Sequence, residues 1–334
     1  MPRLHLAQAK SNRAPKGRKN DFADAERLVK RLVAQELTLS FVPGPEQRLW
    51  RTVTHRKHQL RRDKVRLQNQ LECLLEEAHI KLSSIVSDLL GQSGRRILCA
   101  VAEGETKPAA LAELADRALR ATPEQWCDAL GAAAHLNPVY RQLLKMQMEQ
   151  LKVIEEQMDQ LDHVAADLLK EHEDVVKRLA EVPGLGPDSA QQIVAEVGPT
   201  AATFPSAKCL SSWVGVCPGE DETAGVSTSS RSPKGNRTLR RILNQAAHAA
   251  VKVKGSICEI VFQRHRRQMD YKEAIWVIAH RICRLIWKLL REGVRYEERG
   301  PAVSAKLQKT RAAKMIRQLR RMGYIIESPC PQSA

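Results

Sequence analysis

Residues 46–79 read EQRLWRTVTHRKHQLRRDKVRLQNQLECLLEEAH, a stretch without glycine or proline. Its apolar residues from Leu49 to Leu75 lie mostly four or seven positions apart, which places them on one helix face and predicts a single long α-helix. The other face is basic, because residues 46–66 contain eight lysines and arginines against two acids. That face either follows a phosphate backbone or is an ordinary solvated helix face.

A second unbroken stretch follows Asn137-Pro138 and is predicted to be helical to about Ala180. Its apolar residues alternate at spacings of three and four, the heptad pattern of a coiled coil: Leu144, Leu151, Ile154, Met158, Leu161, Ala165 and Leu168. The pattern predicts self-association, and packing against the helix at 46–79 is the competing use. Residues 83–134, which lie between the two long helices, indicate several short helices that form a spacer.

The N-terminal residues predict a small α/β element. Residues 21–35 have helical spacing, with Asp21 and Asp24 in the first turn, where carboxylates favour the helix dipole. Residues 37–42 alternate like a short strand, which Pro43-Gly44-Pro45 ends. On spacing alone, the two aspartates are first-turn capping residues.

Charge indicates the class of partner. The chain has 334 residues, and its 54 lysines and arginines exceed 38 acidic residues, for a formal net charge of +16. Such an excess is typical of proteins that bind a polyanion, and nucleic acid is the default partner. Aromatic residues are only 4% of the chain, which disfavours a protein that stacks many unpaired bases. Double-stranded DNA contacted through its phosphates is therefore the expected partner.

Apolar stretches such as 274–282 are interrupted by charge well before the roughly 20 residues that a membrane span requires. The residues after Met1 lack the pattern of a secretory signal, so a cytoplasmic protein without a membrane partner is expected. None of the eight cysteines belongs to a Cys-x-x-Cys pair. In a reducing compartment we expect them to be small buried apolar residues, without zinc or disulfides.

The turn Val182-Pro183-Gly184-Leu185-Gly186-Pro187 precedes an apolar helical pattern, which is typical of a helix-hairpin-helix. Gly184 and Gly186 would expose backbone N–H groups that, with the following helix N-terminus, bind a DNA phosphate. An ordinary tight turn between packed helices is the alternative.

Residues 224–258 contain no acid and seven basic residues, which are Arg231, Lys234, Arg237, Arg240, Arg241, Lys252 and Lys254. The tract begins in a loop rich in hydroxyl groups and enters a helix near Asn236. A hydroxyl that attacks a phosphodiester needs an activating environment, and guanidinium groups stabilise the charge that develops on the phosphate oxygens. A flexible serine-rich loop before a basic DNA-contacting helix is the alternative interpretation.

A set of short motifs runs through this region: Phe204-Pro205-Ser206-Ala207-Lys208, Ser212-Trp213-Val214-Gly215, Cys217-Pro218-Gly219, Lys234-Gly235-Asn236-Arg237 and Leu239-Arg240-Arg241. The chain thereby resembles the DEDD transposases of the insertion-sequence one-ten family. The likeness extends back through the hairpin and the long helices to residues 17–25. It implies a resolvase-like (RNase H-like) N-terminal domain with four acidic metal ligands and a C-terminal domain with a nucleophilic serine. Some members of the family use a structured guide RNA.

The resemblance matches Asp21 and Asp24 to the third and fourth acidic ligands, which would hold Mg²⁺. The family's other two ligands lie on strands ahead of this point, whereas the twenty residues before Asp21 contain no acid. We therefore expect an N-terminally truncated domain with an incomplete metal site. A truncation, a decayed copy of the insertion element or a misplaced start of the protein sequence would each explain the missing ligands.

The resemblance places the nucleophile at Thr223, within Glu222-Thr223-Ala224-Gly225, where the family has serine. Threonine keeps the hydroxyl but adds a methyl group that crowds an in-line attack, so reduced or lost activity is expected. Substitute nucleophiles nearby are Ser227, Ser229 and Ser230. The residues expected to contact scissile or flanking phosphates are Arg231, Lys234, Arg237, Arg240 and Arg241.

The sequence thus predicts a mainly α fold with a small α/β remnant at the N-terminus. The expected domains are a resolvase-like remnant (1–80), a helical and coiled-coil spacer (81–180), a helical transposase domain with a helix-hairpin-helix (181–300) and a basic tail (301–334). The expected function is DNA transposition, with double-stranded DNA as the substrate and a dimer or tetramer as the active form. The family resemblance adds a structured guide RNA as a further candidate partner. The alternatives are a catalytically inactive nucleic-acid-binding remnant and a coiled-coil assembly protein.

Overall fold

The computed structural model of the chain describes residues 5–9, 11–12, 20–116, 119, 121–217, 221–223, 226–229, 232–298 and 313, and of residues 221–223 and 226–229 it describes the backbone alone. The described residues are mainly helical, as the sequence predicts. They form two compact units, Met1–Glu173 and Asp174–Ala334, and each unit has its own set of packed helices. Apart from Ala313, the expected basic tail lies outside the described residues.

The described residues of the first unit form the α-helices α1 (Asp21–Val33), α2 (Pro45–Glu77), α3 (Gln92–Glu103), α4 (Pro108–Glu113), α5 (Pro123–Leu130) and α6 (Pro138–Leu168). Short 3₁₀ turns at Leu82–Ser84, Gly131–His135 and Lys170–His172 join or follow them. Prolines at the first turns of α2 and α6 fit positions where no backbone donor is needed. The expected long helices and the short helices between them are confirmed.

The core of the first unit lies between α2 and α6. The leucines of α2 at positions 60, 67, 71 and 75 are buried against the heptad face of α6, of which Leu144, Leu151 and Ile154 are also buried. Each such side chain contributes about 1.5–3 kcal/mol through removal of its surface from water. The heptad face is therefore used within the chain, which is the competing use that the sequence left open.

Ion pairs tie the same helices together. The Glu155 carboxylate of α6 accepts from Lys64 of α2 at 2.7 Å and from the Arg95 guanidinium of α3 at 2.6 Å. Lys57, whose side chain is 5% exposed, pairs with Asp162 of α6. Two cations of the predicted basic face therefore neutralise acids of the neighbouring helix, and one of them, Lys57, is buried.

Two expected elements differ from the structure. The predicted strand at residues 37–42 is wrong, because the backbone there forms only an isolated bridge between Leu39 and Ala7, with no further strand beside it among the described residues of the first unit. The second long helix ends at Leu168 and a 3₁₀ turn follows, although no glycine or proline marks the break. This turn is polar, and the His172 ring packs edge-on against Trp50 at 5.2 Å.

The second unit consists of α7 (Glu173–Ala180, beginning at the boundary), α8 (Pro187–Val197), α9 (Ala207–Val214), α10 (Arg237–Ala250), α11 (Ile257–His265) and α12 (Tyr271–Glu292), with the strands β1 (Asp221–Thr223) and β2 (Val226–Ser229) between α9 and α10. Helix α12 is central, because it packs against α9, α10 and α11. Its buried face includes Ile275, Ile278 and Ile282. This helix fixes the positions of the elements that flank the β-hairpin.

The cysteines follow the expectation only in part. Cys258 and Cys283 are buried, and burial raises the pKa of these thiols to about 11 and about 12, so both stay protonated near neutral pH. The expectation of burial is wrong for four others, which are exposed: Cys73, Cys99, Cys127 and Cys209. No helix within the described ranges is long and apolar enough to cross a membrane.

The Glu155 cluster predicts a pH-dependent stability. The Arg95 and Lys64 hydrogen bonds lower the pKa of Glu155 from 4.5 to about 2. Because the folded-state pKa lies below the unfolded one, this stabilisation is present above pH 4.5 and is lost as the pH falls toward 2. Glu155→Gln should lower the free energy of unfolding at pH 7 by about 1–2 kcal/mol, a value reduced for solvent screening. Urea unfolding followed by circular dichroism measures the change.

The matched control is Glu156→Gln on the same helix, because the Glu156 carboxylate is 59% exposed and lies 4.0 Å from Lys152. This variant should match the wild type within about 0.5 kcal/mol. An equal loss in both variants, or a Glu155→Gln difference that is as large at pH 2 as at pH 7, would contradict the role assigned to the cluster.

Candidate nucleic-acid interface

The predicted nucleophile lies on a β-hairpin and not in the irregular loop that the sequence suggested. Strands β1 and β2 pair antiparallel, and Thr223, the last residue of β1, pairs with Val226. A short turn ending in glycine between alternating residues is a hairpin signal that the sequence interpretation missed. The Thr223 side chain and the whole of Arg231 lie outside the described residues.

Two glycines let the segments on either side of the hairpin cross in backbone contact. Gly215 ends α9 with a φ of +77°, and a β-carbon there would lie 2.6 Å from the Pro233 carbonyl oxygen. A β-carbon at Gly235 would lie 2.1 Å from the Val214 carbonyl oxygen. No side chain fits at such distances, so both positions require glycine.

The guanidinium group of Arg240 holds the two crossing segments together, and its contacts with Gly215, Ser232 and Pro233 are called the clamp. This guanidinium donates to the carbonyl of Gly215, to the carbonyl of Pro233 at 2.9 Å and to the Ser232 hydroxyl at 3.3 Å. The same group lies 4.7 Å from the ring centroid of Trp276 on α12. The donors that the sequence assigned to phosphate therefore hold the hairpin segments against the core, and the phosphate role of Arg240 stays a prediction beside this structural one.

The first turn of α10 is tied to α8 by polar side chains. Asn236 caps α10 by accepting from the Leu239 N–H at 2.9 Å, and its amide donates to the buried Glu196 carboxylate at 2.8 Å. The Arg241 guanidinium donates to Gln192 at 2.6 Å. These links hold the N-terminus of α10 beside α8.

Lys234 and Arg237 are the exposed members of the predicted phosphate-binding set at this end of α10. Neither forms an ion pair with another residue in the described part of the chain. Arg237 is the first residue of α10, and no acid lies in that turn. Because a helix N-terminus carries partial positive charge, cations there are placed against the helix dipole, and a bound anion would relieve that cost.

The two glycines of the predicted helix-hairpin-helix have different surroundings. Helices α7 and α8 are joined by a tight turn, as expected. Gly184 has a φ of +84°, and a β-carbon there would lie 2.2 Å from the Ala246 carbonyl oxygen of α10, so its glycine is required for packing. Gly186 is exposed at the N-cap of α8, with open space around it. Of the two, Gly186 is the more exposed, whereas Gly184 is half-buried against α10.

The predicted magnesium ligands lie on α1. Asp24 forms an ion pair with Arg27 at 2.6 Å, and no group of three or more candidate ligands occurs among the residues that the structure describes. Two carboxylates on one helix turn, one of them paired with an arginine, do not provide the oxygen ligands of a positioned Mg²⁺ site. The described residues therefore do not fit that ion.

Sequence comparisons with known proteins match parts of the chain to a transposase family, to a putative transposase and to a protein of an insertion element. The sequence model of the transposase IS116/IS110/IS902 family matches residues 176–260, which extend from α7 into α11. A putative transposase, y4pF/y4sB of Sinorhizobium fredii (strain NBRC 101917 / NGR234), is 28% identical over 147 residues, which cover 39% of this chain and 35% of that protein. An uncharacterised 43.6 kDa protein of insertion element IS110 from Streptomyces coelicolor is 26% identical over 153 residues, covering 46% of this chain and 37% of that one.

These matches support the resemblance to transposases of insertion sequences that is seen in the sequence. The part of the chain that resembles the IS116/IS110/IS902 family model is residues 176–260. The chain spans about a third of the length of the curated relatives it matches.

The glycine pair gives a test of packing. Gly184→Ala should lower the free energy of unfolding by about 2–4 kcal/mol, because the new β-carbon meets the α10 backbone and the residue keeps a positive φ. Gly186→Ala should cost under about 1 kcal/mol, since alanine is only a poorer N-cap. Thermal unfolding of both variants measures the difference. Equal melting temperatures would show that α10 does not pack on Gly184.

Arg240 and Arg237 give a second test, this time of the clamp. Arg240→Ala should destabilise the second unit by about 1–3 kcal/mol through loss of its hydrogen bonds and its ring contact. Arg240→Lys should not restore the loss, because an ammonium group does not reproduce the guanidinium fork. The exposed Arg237 serves as control, and Arg237→Ala should stay within about 0.5 kcal/mol of the wild type in the same melting experiment. A stable Arg240→Ala variant would refute the clamp.

Proposed function

We propose that the protein is a DNA transposase of an insertion sequence that cuts and rejoins DNA through the hydroxyl of Thr223. The observation that carries the proposal is the β-hairpin that bears Thr223, because Arg240 holds the segments on both sides of it together. At the start of the helix that follows, Lys234 and Arg237 are exposed and form no ion pair with another described residue. Thr223 follows Gly215 by eight residues, which limits the distance between their backbones to at most about 29 Å. Lys234 and Arg237 would bind phosphates there.

In the proposed reaction the Thr223 oxygen loses its proton and forms a bond to phosphorus. The bond from phosphorus to one deoxyribose oxygen breaks, and that oxygen takes up a proton to become a free hydroxyl. The phosphate remains a diester, now joined to the protein, so no external energy source is consumed. Attack of a deoxyribose hydroxyl on this phosphothreonine reverses the step and completes strand exchange. The cations at the start of α10 would stabilise the charge on the transferring phosphate.

Further parts of the proposal concern other residues of the predicted set. Gly186 would offer its backbone to a flanking phosphate, and Arg241 would add charge beside Gln192. Residues of α1 would belong to a resolvase-like domain in which Asp21 and Asp24 contribute to a magnesium site. Since the described residues do not complete that site, no chemical step is assigned to the metal.

The partners follow from the chemistry. Double-stranded DNA in the cytoplasm is the proposed substrate, and exchange between two duplexes needs at least two copies of Thr223, hence a dimer or tetramer. A structured guide RNA is a further partner that the family resemblance suggests. The basic residues that remain exposed would serve either nucleic acid through phosphate contacts.

A second candidate is a nucleic-acid-binding protein without strand transfer. The observation that favours it is the threonine itself, whose methyl group crowds the approach to phosphorus. Binding needs only the exposed cations and the clamp, both of which are independent of the residue at 223.

Trapping of a covalent adduct separates the two functions. The full chain is incubated with nicked duplexes spanning the DNA that flanks its gene, and the adduct is detected on denaturing gels. Thr223→Ala should abolish the adduct, and Thr223→Ser should increase it about tenfold or more, because serine removes the methyl group. The matched control replaces Ser227, Ser229 and Ser230 with alanine and should leave the adduct unchanged.

Each other outcome has a defined meaning. Loss of the adduct in the serine control with retention in Thr223→Ala would move the nucleophile to one of those serines. No adduct with either the wild type or Thr223→Ser, while salt-sensitive DNA binding persists, would overturn the enzymatic proposal in favour of the binding protein.

A further inference from the structure

A second basic surface lies at the end of α10 opposite the hairpin. It consists of Arg264 in the last turn of α11, Arg266 and Arg267 just after it, and Lys272 in the first turn of α12. These four residues are called the distal basic cluster. The segments that carry Arg266, Arg267 and Lys272 lie beyond residues 176–260, the part matched by the transposase family.

An aromatic group holds the cluster against α10. The Tyr271 ring stacks on His248 of α10, with centroids 5.6 Å apart, and its hydroxyl lies 3.2 Å from His248 Nδ1. Phe262 of α11 meets the same ring edge-on at 5.4 Å. The Arg266 guanidinium carbon lies 5.8 Å from the Tyr271 ring centroid. The cluster is thus fixed relative to the helix whose other end bears Arg237.

The residues that the structure describes do not neutralise the charge of the cluster. Residues 263–272 contain the four cations and a single acid, Asp270. All four cations are exposed, and none forms an ion pair with another residue that the structure describes. The helix dipole of α11 favours a cation in its last turn, which explains the position of Arg264. It does not explain the three further cations in the next eight residues, which are Arg266, Arg267 and Lys272. In contrast, Lys57 and Lys64 of the first unit are paired with acids.

The spacing of the two surfaces matches a duplex. Arg237 and His248 are eleven residues apart on α10, which corresponds to about 17 Å along the helix. At 3.4 Å per base pair, this is about five base pairs of B-DNA. A duplex aligned with α10 would therefore present phosphates to both surfaces at once.

We propose that the distal basic cluster binds backbone phosphates of double-stranded DNA about five base pairs from the position that faces the Thr223 hairpin. This inference rests on the proposed function for the identity of the substrate. The contact carries no sequence information and sets the position of the duplex along α10. Its consequence is that flanking DNA stays bound while the strand at the hairpin is broken.

The test uses the full chain and a double variant, Arg264→Gln/Arg267→Gln, which leaves Arg266 and the Tyr271 contacts in place. Binding to a DNA duplex of about thirty base pairs is measured by fluorescence anisotropy at several salt concentrations. Loss of two phosphate contacts should reduce the slope of log affinity against log salt by about 1.8 and weaken binding about tenfold or more at 0.1 M salt.

The control is Lys288→Gln/Arg291→Gln, which removes two exposed positive charges near the other end of α12, about 25 Å from Tyr271. It should leave the slope within about 0.3 of the wild type. Equal slopes for the wild type and the Arg264/Arg267 variant, or the same decrease in the control, would overturn the proposal. A wild type that does not bind duplex DNA, or a variant that weakens only RNA binding, would overturn it too.

Failure of the proposed chemistry gives a different result. Thr223→Ala should lose the covalent adduct while its salt slope equals that of the wild type, since Thr223 contributes no charge. If no adduct forms with any variant but the Arg264/Arg267 change still lowers the slope, the enzymatic proposal fails and the distal contact stands.

Discussion

The backbones of the two segments that flank the hairpin touch at Gly215 and Gly235, and the organisation around Thr223 depends on this close crossing. Strands of three and four residues are too short to hold a geometry in water by themselves. The helical core holds the hairpin in place instead, because Arg240 joins both flanking segments to each other and contacts Trp276 of α12. The position of the hairpin is therefore set by helix packing, whereas the strands contribute little.

Charge is used in two ways in this protein, and the net charge of +16 does not distinguish them. In the first unit, Lys57 and Lys64 join α2 to α6 through acids of the partner helix. In the second unit, Lys234 and Arg237 face solvent at a helix end where the dipole disfavours them. Paired cations stabilise the fold, whereas Lys234 and Arg237 have no ion-pair partner among the described residues and carry the proposed contact with phosphate.

Several elements could be predicted because their causes are local. The predicted helix at 46–79 corresponds to α2, since apolar spacing and the flanking prolines act within a few residues. The break after Leu168 could not be predicted, because no glycine or proline marks it. The turn that follows places His172 against Trp50, more than a hundred residues away in the chain, and a local pattern does not contain that contact. The strand at 37–42 failed for a related reason, as a β pattern becomes a strand only where another strand pairs with it.

By itself, the sequence determined the helical class, the extent of α2, the start of α6 and the motifs of a transposase family, because periodicity, breakers and motif spacing are properties of neighbouring residues. The tertiary structure alone decided that the heptad face of α6 packs on α2, that Gly184 serves packing with α10 and that Arg240 fastens the hairpin segments. Each of these outcomes depends on which distant backbone or side chain lies within a few ångströms. Long-range packing sets those distances, and a local pattern does not contain them.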